Sequence, residues 1–147
     1  MNKPEIIIIA AIAESNRAIA QNGKLPWSIP EDSKRFQSLT LNHTVVMGRK
    51  TWDSDLQKRP LEKRTNIVIS SDPKQVQMEA QSFNYPAEVI VVNSLKEALQ
   101  KAQAHEKIFI AGGASIYEQA LKIADTLELT LVEGDFDGDT FFPEYQH

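Results

Sequence analysis

An apolar run near the start of the chain, Glu5-Ile6-Ile7-Ile8-Ile9-Ala10-Ala11-Ile12-Ala13, is rich in β-branched residues and has no polar position after Glu5. Such a run predicts a strand covered on both faces and lying centrally in a sheet. Shorter runs of the same kind recur at 44–47, 66–69, 89–92 and 107–111, and the segment 127–132 alternates apolar and polar residues as a strand does. Between them the period lengthens. Ile29, Asp32, Phe36 and Leu39 are spaced three, four and three, which places them on one face of a helix. Ser28 and Glu31 form a capping box for its start, with Pro30 in the first turn. Ser94 and Glu97 cap a second helix with Leu95, Ala98, Leu99 and Ala102 on its apolar face, ending near His105, and a third runs from Ile116 to Leu121. Strands alternating with helices predict an α/β fold, a mostly parallel sheet flanked by helices. The polar segment 14–25, with the turn signal Asn22-Gly23, reads as a long loop, either a plain connection or a lid. The Gln-rich stretch 74–87 has little periodicity and predicts no element.

Length changes this picture little: 147 residues make one domain with a core of its own. Composition narrows the function classes. A net charge of −4 and a pI near 5.4 argue against nucleic acid as the main partner. The absence of cysteine removes disulfides and thiolate chemistry and fits a reducing cytoplasm. His43, His105 and His147 lack ligand spacing, so no metal site is expected. Asp135, Asp137 and Asp139 imitate a calcium loop superficially, but the sixth position has no Gly and the twelfth no Glu. The first apolar run is too short to span a bilayer, and no membrane association is expected.

Candidate chemistry begins with Asp32. One reading makes it an acid stabilised by the positive end of a helix. Its place on the apolar stripe beside Trp27 favours a second, a carboxylate in a pocket, because burying an unpartnered charge costs several kcal/mol. Three predicted strand ends then carry groups suited to anions: Gly48-Arg49-Lys50-Thr51, Ser70-Ser71 and Gly112-Gly113-Ala114-Ser115. Alone, the Gly48 junction is more often just an exposed surface, and a generic tight turn would explain one glycine of the Gly112-Gly113 pair as well as a ligand does. Together, at the carboxyl ends of a parallel sheet, they predict a phosphorylated and dinucleotide-like ligand. The G-x-G-x-x-G fingerprint is absent, so the ordinary dinucleotide-binding arrangement is not expected.

In order along nearly the whole chain stand the Ile-rich first strand with Ala10-Ala11, Leu25-Pro26-Trp27 followed by Pro30-Glu31-Asp32 and Phe36, and Val46-Met47-Gly48-Arg49-Lys50-Thr51-Trp52. Arg64 with Asn66-Ile67-Val68, Gly112-Gly113-Ala114-Ser115-Ile116-Tyr117 and Gly138-Asp139-Thr140-Phe141-Phe142-Pro143 complete the set. In this ordered set the chain resembles the bacterial-type dihydrofolate reductases. The resemblance implies a three-layer α/β sandwich in one domain, with an adenosine-binding subdomain at about 43–105 and a loop subdomain in the remainder. It implies hydride transfer from NADPH to 7,8-dihydrofolate by a cytoplasmic monomer that also binds antifolates.

By the same resemblance Asp32 is the acid of the pterin pocket, with Trp27, Thr130 and Tyr117 completing the catalytic group. Ile9, Ala10, Phe36, Leu61 and Arg64 contact substrate, Arg64 pairing with its α-carboxylate. Ala11 and Ile19 meet the nicotinamide. Gly112, Gly113, Ala114, Ser115 and Ile116 take the pyrophosphate, and Gly48, Arg49, Lys50, Thr51, Ser70 and Ser71 take the adenosine end with its 2′-phosphate. The segment 14–29 corresponds to a mobile lid. Ala20, Ser33, Asp55 and Ala111 depart from the residue types usual in the family. Family members continue past Pro143-Glu144-Tyr145 with an antiparallel strand pair that is missing before His147, and the alternative function implied is a catalytically impaired NADPH-binding protein.

Overall fold

The computed structural model describes residues 4–20, 30–81, 87–102, 107–133, 138 and 140–145, with the side chains of 20, 30–33, 54 and 55 outside the description. Six strands form one parallel sheet: β1 (Glu5–Ala13), β3 (Thr44–Gly48), β4 (Thr65–Ile69), β5 (Glu88–Val92), β6 (Lys107–Ile110) and β7 (Thr126–Val132). Their spatial order is β5-β4-β3-β6-β1-β7. Each neighbouring pair is parallel, with β1 set between β6 and β7 in the registers Ile7↔Phe109 and Ile9↔Glu128. The expected interior position of the Ile-rich run is therefore met.

The pleat divides the core in two. Ile7, Ile9, Val45, Met47, Val68 and Phe109 face one side, where α1 (Pro30–Thr40) contributes Phe36 and Leu39 and α2 (Pro73–Ala80) contributes Val76. Ile8, Ile12, Val46, Ile67, Ile108 and Ile110 face the other, under α3 (Leu95–Lys101) and α4 (Ala114–Ala120). Three layers result. Fully burying one such Ile or Leu side chain stabilises the fold by about 1.5–3 kcal/mol, so the doubly covered sheet dominates the stability.

Several sequence expectations need correction. The segment read as a structureless loop contains a short strand, β2 (Ala18–Ala20), which pairs antiparallel with β8 (Thr140–Phe141) as a separate ribbon. Three residues are too few to show a period. The Gln-rich stretch given no element contains α2, started by Asp72, whose carboxylate accepts from the Gln75 amide at 3.4 Å, and by Pro73 in the first turn. It buries little beyond Val76, so the apolar stripe is nearly invisible. The buried strand expected at Val89–Val92 is an edge strand and mostly half-buried. The second predicted helix does have its Ser94 cap, accepting from the Glu97 amide at 3.1 Å, but it ends at Lys101. After β3 the chain is helical from Arg49 and passes into a π-helical turn, Thr51–Asp55, closed by Leu56 N–H donating to the Thr51 carbonyl at 3.0 Å. Ser28 and His105 lie outside the described residues.

Candidate active site

The carboxyl-terminal halves of β1, β3 and β7 end against α1, and a cavity of about 250 Å³ lies between them. Its floor is Ile9, Ala10 and Ala11 with Val45, Met47 and Ala111, and its walls are Phe36, Thr51, Leu56, Leu61, Tyr117 and Thr130. Most of this lining is apolar, which suits a flat heterocycle with a few polar contacts. The Tyr117 hydroxyl donates to the Ile9 carbonyl at 3.0 Å, tying α4 to β1 beneath the floor. Asp32 stands on α1 one turn before Phe36. Its carboxylate, Trp27 and most of the predicted lid lie outside the described residues.

Beside this cavity, and sharing Gln37, Leu56 and Leu61 with it, runs a groove bordered by Arg59, Lys63 and Arg64. Arg64 is buried, 7% exposed, and one of its terminal nitrogens donates to the Gln37 side-chain carbonyl. Its Nε is buried with no hydrogen-bond partner among the described residues. Burial pushes the guanidinium below its ordinary value, with the nearby Glu62 charge opposing. A buried cation with an unused donor is arranged for an anionic partner. The loop that carries Leu61 and Arg64 is held by Asn66, fully buried in β4. Its amide oxygen accepts from Leu61 N–H at 2.8 Å, and its nitrogen donates to the carbonyls of Leu61, Glu88 and Arg64 at 3.0, 3.1 and 3.3 Å.

The three anion-suited strand ends fall at one side of the sheet. Gly48 and Gly112 meet directly, the Gly48 amide donating to the Gly112 carbonyl at 2.7 Å. Gly112 has φ +102°, and a Cβ there would lie 2.8 Å from the Tyr117 ring, so this position admits only glycine. In front of Gly113, by contrast, a Cβ would meet nothing within 4 Å. Ala114 and Ser115 open α4, with Ser115 exposed, and Ile116 packs against the Gly48 Cα side, 3.1 Å from where a Cβ would stand. Arg49 is held at the neighbouring strand end. Its Nε donates to both Asp53 carboxylate oxygens at 3.0 and 3.1 Å, its Nη1 to Ser70 Oγ at 3.3 Å, and its Nη2 lies 3.9 Å from Glu79. Lys50 and Ser71 are exposed nearby in sequence. Open backbone beside glycines with two cations and two hydroxyls at adjacent strand ends fits a phosphorylated dinucleotide. Ile19 sits apart on β2, half-buried against the α3/α4 face of the core.

Sequence reasoning missed Arg35, Gln37 and Glu79. Arg35 and Gln37 line the cavity from α1, and Glu79 on α2 accepts from the Trp52 indole N–H at 3.0 Å and pairs with Lys58 at 3.2 Å. Each acts through a partner far away in sequence, and no spacing rule could have found it. Among the described residues no three acidic or histidine side chains converge as a metal set, and no helix is long and apolar enough to cross a membrane.

Fold and site together fit an α/β protein with room for a flat heterocycle and a phosphorylated cofactor at the carboxyl ends of a parallel sheet. The dihydrofolate reductase family profile matches residues 5–147. A dihydrofolate reductase of Buchnera aphidicola subsp. Acyrthosiphon pisum is 41% identical over 141 residues, covering 96% of this chain and 80% of its own. One from Neisseria gonorrhoeae is 43% identical over 140 residues, covering 95% and 80%. A solved dihydrofolate reductase from Enterococcus faecalis, complexed with NADP(H) and RAB-propyl, superposes with a TM-score of 0.80 at 35% identity, covering 95% of this chain and 77% of that one. The chain belongs to the dihydrofolate reductase family.

Proposed function

We propose that this chain reduces 7,8-dihydrofolate to 5,6,7,8-tetrahydrofolate with NADPH, supplying one-carbon metabolism. The observation that carries the reading is the cavity itself, which gathers Ile9, Ala10, Phe36, Leu61, Tyr117 and Thr130 from five separate segments, with Arg64 at its edge. NADPH, when bound, would supply the hydride for C6 of the substrate, and balance requires a proton at N5. Asp32, on α1 ahead of Phe36, assists that protonation and fixes the pterin through its 2-amino group and N3. A carboxylate in a dry site is suited to this because desolvation raises its pKa toward the working pH. Trp27 walls the pocket and holds an ordered water, Thr130 joins the polar network, and Tyr117 holds the Ile9 carbonyl in place.

Phe36 and Leu61 pack on the aminobenzoyl ring. Arg64, with its unused Nε, takes the α-carboxylate of the glutamate moiety. Ala11 and Ile19 border the nicotinamide. The pyrophosphate lies against Gly112, Gly113, Ala114, Ser115 and Ile116, and the adenosine end against Gly48, Arg49, Lys50, Thr51, Ser70 and Ser71. The cations among them favour NADPH over NADH, which has no 2′-phosphate to pair. Residues of about 43–105 form the adenosine-binding subdomain and the rest a loop subdomain whose segment 14–29 closes over the site and excludes water. The same pocket accepts antifolates. The protein acts in the cytoplasm as a monomer, with no role for nucleic acid.

The test is consumption of NADPH on mixing with dihydrofolate, with tetrahydrofolate formed in equal amount. A folded sample that binds NADPH and gives no turnover would refute the reading.

A further inference from the structure

Arg35 lies on α1 next to Phe36, three residues after Asp32, and lines the cavity. Across the cavity, Glu128 and Thr130 stand two apart on β7, opposite Ile9 and Ala11 of β1, and so project to the α1 side of the sheet. The Arg35 guanidinium spans both of them. Its Nη2 donates to Glu128 Oε2 at 2.5 Å and its Nη1 to Thr130 Oγ1 at 3.1 Å. No other described hydrogen bond joins the side chains of α1 to β7.

A threonine hydroxyl has one proton to donate and two lone pairs to accept with, whereas a guanidinium only donates. Thr130 therefore accepts from Arg35, and its own proton is directed away from the guanidinium. That leaves the hydroxyl as a donor on the cavity side. The Glu128 contact occupies the other arm of the fork, and a two-point hold fixes the plane of the guanidinium as a single contact would not. We propose that Arg35, held by Glu128, is a positioning residue that sets the Thr130 hydroxyl as a hydrogen-bond donor into the substrate pocket. This rests on the reductase reading given above, and it assigns the pair a role in substrate binding rather than in cofactor binding. A half-exposed ion pair by itself stabilises a fold by little, so an effect on substrate is separable from an effect on stability.

The experiment is a double-mutant cycle on the full chain, using wild type, Arg35→Met, Thr130→Val and the double variant, with KM for dihydrofolate measured at saturating NADPH. Arg35→Met is expected to raise KM about five- to tenfold, the loss of one ordered hydrogen bond, while kcat changes less than about twofold. In the Thr130→Val background the same substitution is expected to add less than about twofold, because the hydroxyl it positions is gone. Thr130→Ser, which keeps the hydroxyl, retains the full response to Arg35→Met. Arg35→Gln serves as the second variant, with the same expected pattern, where Arg35→Met fails to fold. The inference is overturned if Arg35→Met multiplies KM equally in both backgrounds or leaves it unchanged. Calorimetric Kd values for folate on the same proteins give the cycle without turnover. A wild type that binds folate but does not reduce dihydrofolate overturns the reductase reading while the cycle still decides this one, and a wild type that does neither overturns both.

Discussion

Gly48 donates its amide proton to the Gly112 carbonyl at 2.7 Å, so the ends of β3 and β6 are clamped together where two of the anion-suited turns meet. The two glycines that follow β6 then have different jobs. At Gly112 a methyl would strike the Tyr117 ring, and its φ of +102° is strained for any other residue. At Gly113 a methyl would meet open space. Gly112→Ala is therefore expected to destabilise the fold by roughly 1–3 kcal/mol, seen in denaturant melts. Gly113→Ala is expected to leave stability within about 0.5 kcal/mol while weakening NADPH binding, because its methyl would fill the open space to which the proposed function assigns the pyrophosphate. Equal NADPH affinity in Gly113→Ala and wild type would place the cofactor elsewhere.

Asn66 is nearly isosteric with Leu, yet Asn66→Leu removes a buried amide's three hydrogen bonds to the 61–64 loop and its fourth to the Glu88 carbonyl. The expected loss of stability is about 2–4 kcal/mol, since buried backbone groups would be left without partners. The loop also carries Arg64, which the proposed function assigns to the glutamate carboxylate, and loss of the Asn66 amide removes a hydrogen bond to its carbonyl. KM for dihydrofolate should rise, and a truncated substrate lacking the glutamate moiety should be reduced equally well by variant and wild type. A rise in KM for both substrates would show that the loop acts on the whole pocket.

Glu79 supplies a pH prediction. Burial pushes its carboxyl up, but hydrogen bonds from Trp52, Gln75 and Lys58 and the Lys58 charge outweigh burial, and the net pKa lies below the usual value. A carboxyl depressed in the folded state contributes stability above the ordinary Glu range, about 4.3, and loses it as pH falls through the depressed folded value. Wild type should therefore lose more stability than Glu79→Gln on acidification from pH about 6 to 3. At neutral pH Glu79→Leu should cost about 1–3 kcal/mol, because the Trp52 indole N–H loses its acceptor, and Glu79→Gln less. Parallel acid curves for wild type and Glu79→Gln would remove Glu79 from the linkage.

What could be read from the chain alone follows from range. Ile7 and Ile8 alternate between two buried faces and announce β1, and Ser94 with Glu97 announces the start of α3, because both signals lie within a few residues. The pocket contacts Phe36, Thr130 and Tyr117 were legible only through the family resemblance. α2 was lost because a helix that buries little beyond Val76 has no stripe to see, although Asp72-Pro73 is a sound start signal. β2 exists only because β8, over a hundred residues later, pairs with it. Arg35 with Glu128 and Thr130, and Arg64 with Gln37, are likewise long-range pairs of polar residues that look like ordinary surface in sequence.

The most direct test of the account is the rate of hydride transfer to dihydrofolate in Asp32→Asn at saturating NADPH and neutral pH. Loss of the acid role proposed for Asp32 should slow transfer by roughly 10²–10⁴-fold, with NADPH affinity unchanged, because that reading assigns Asp32, on α1 one turn before the cavity-lining Phe36, to the substrate and not to the cofactor. A near wild-type rate, or a loss of NADPH affinity as large as the loss of rate, would contradict it.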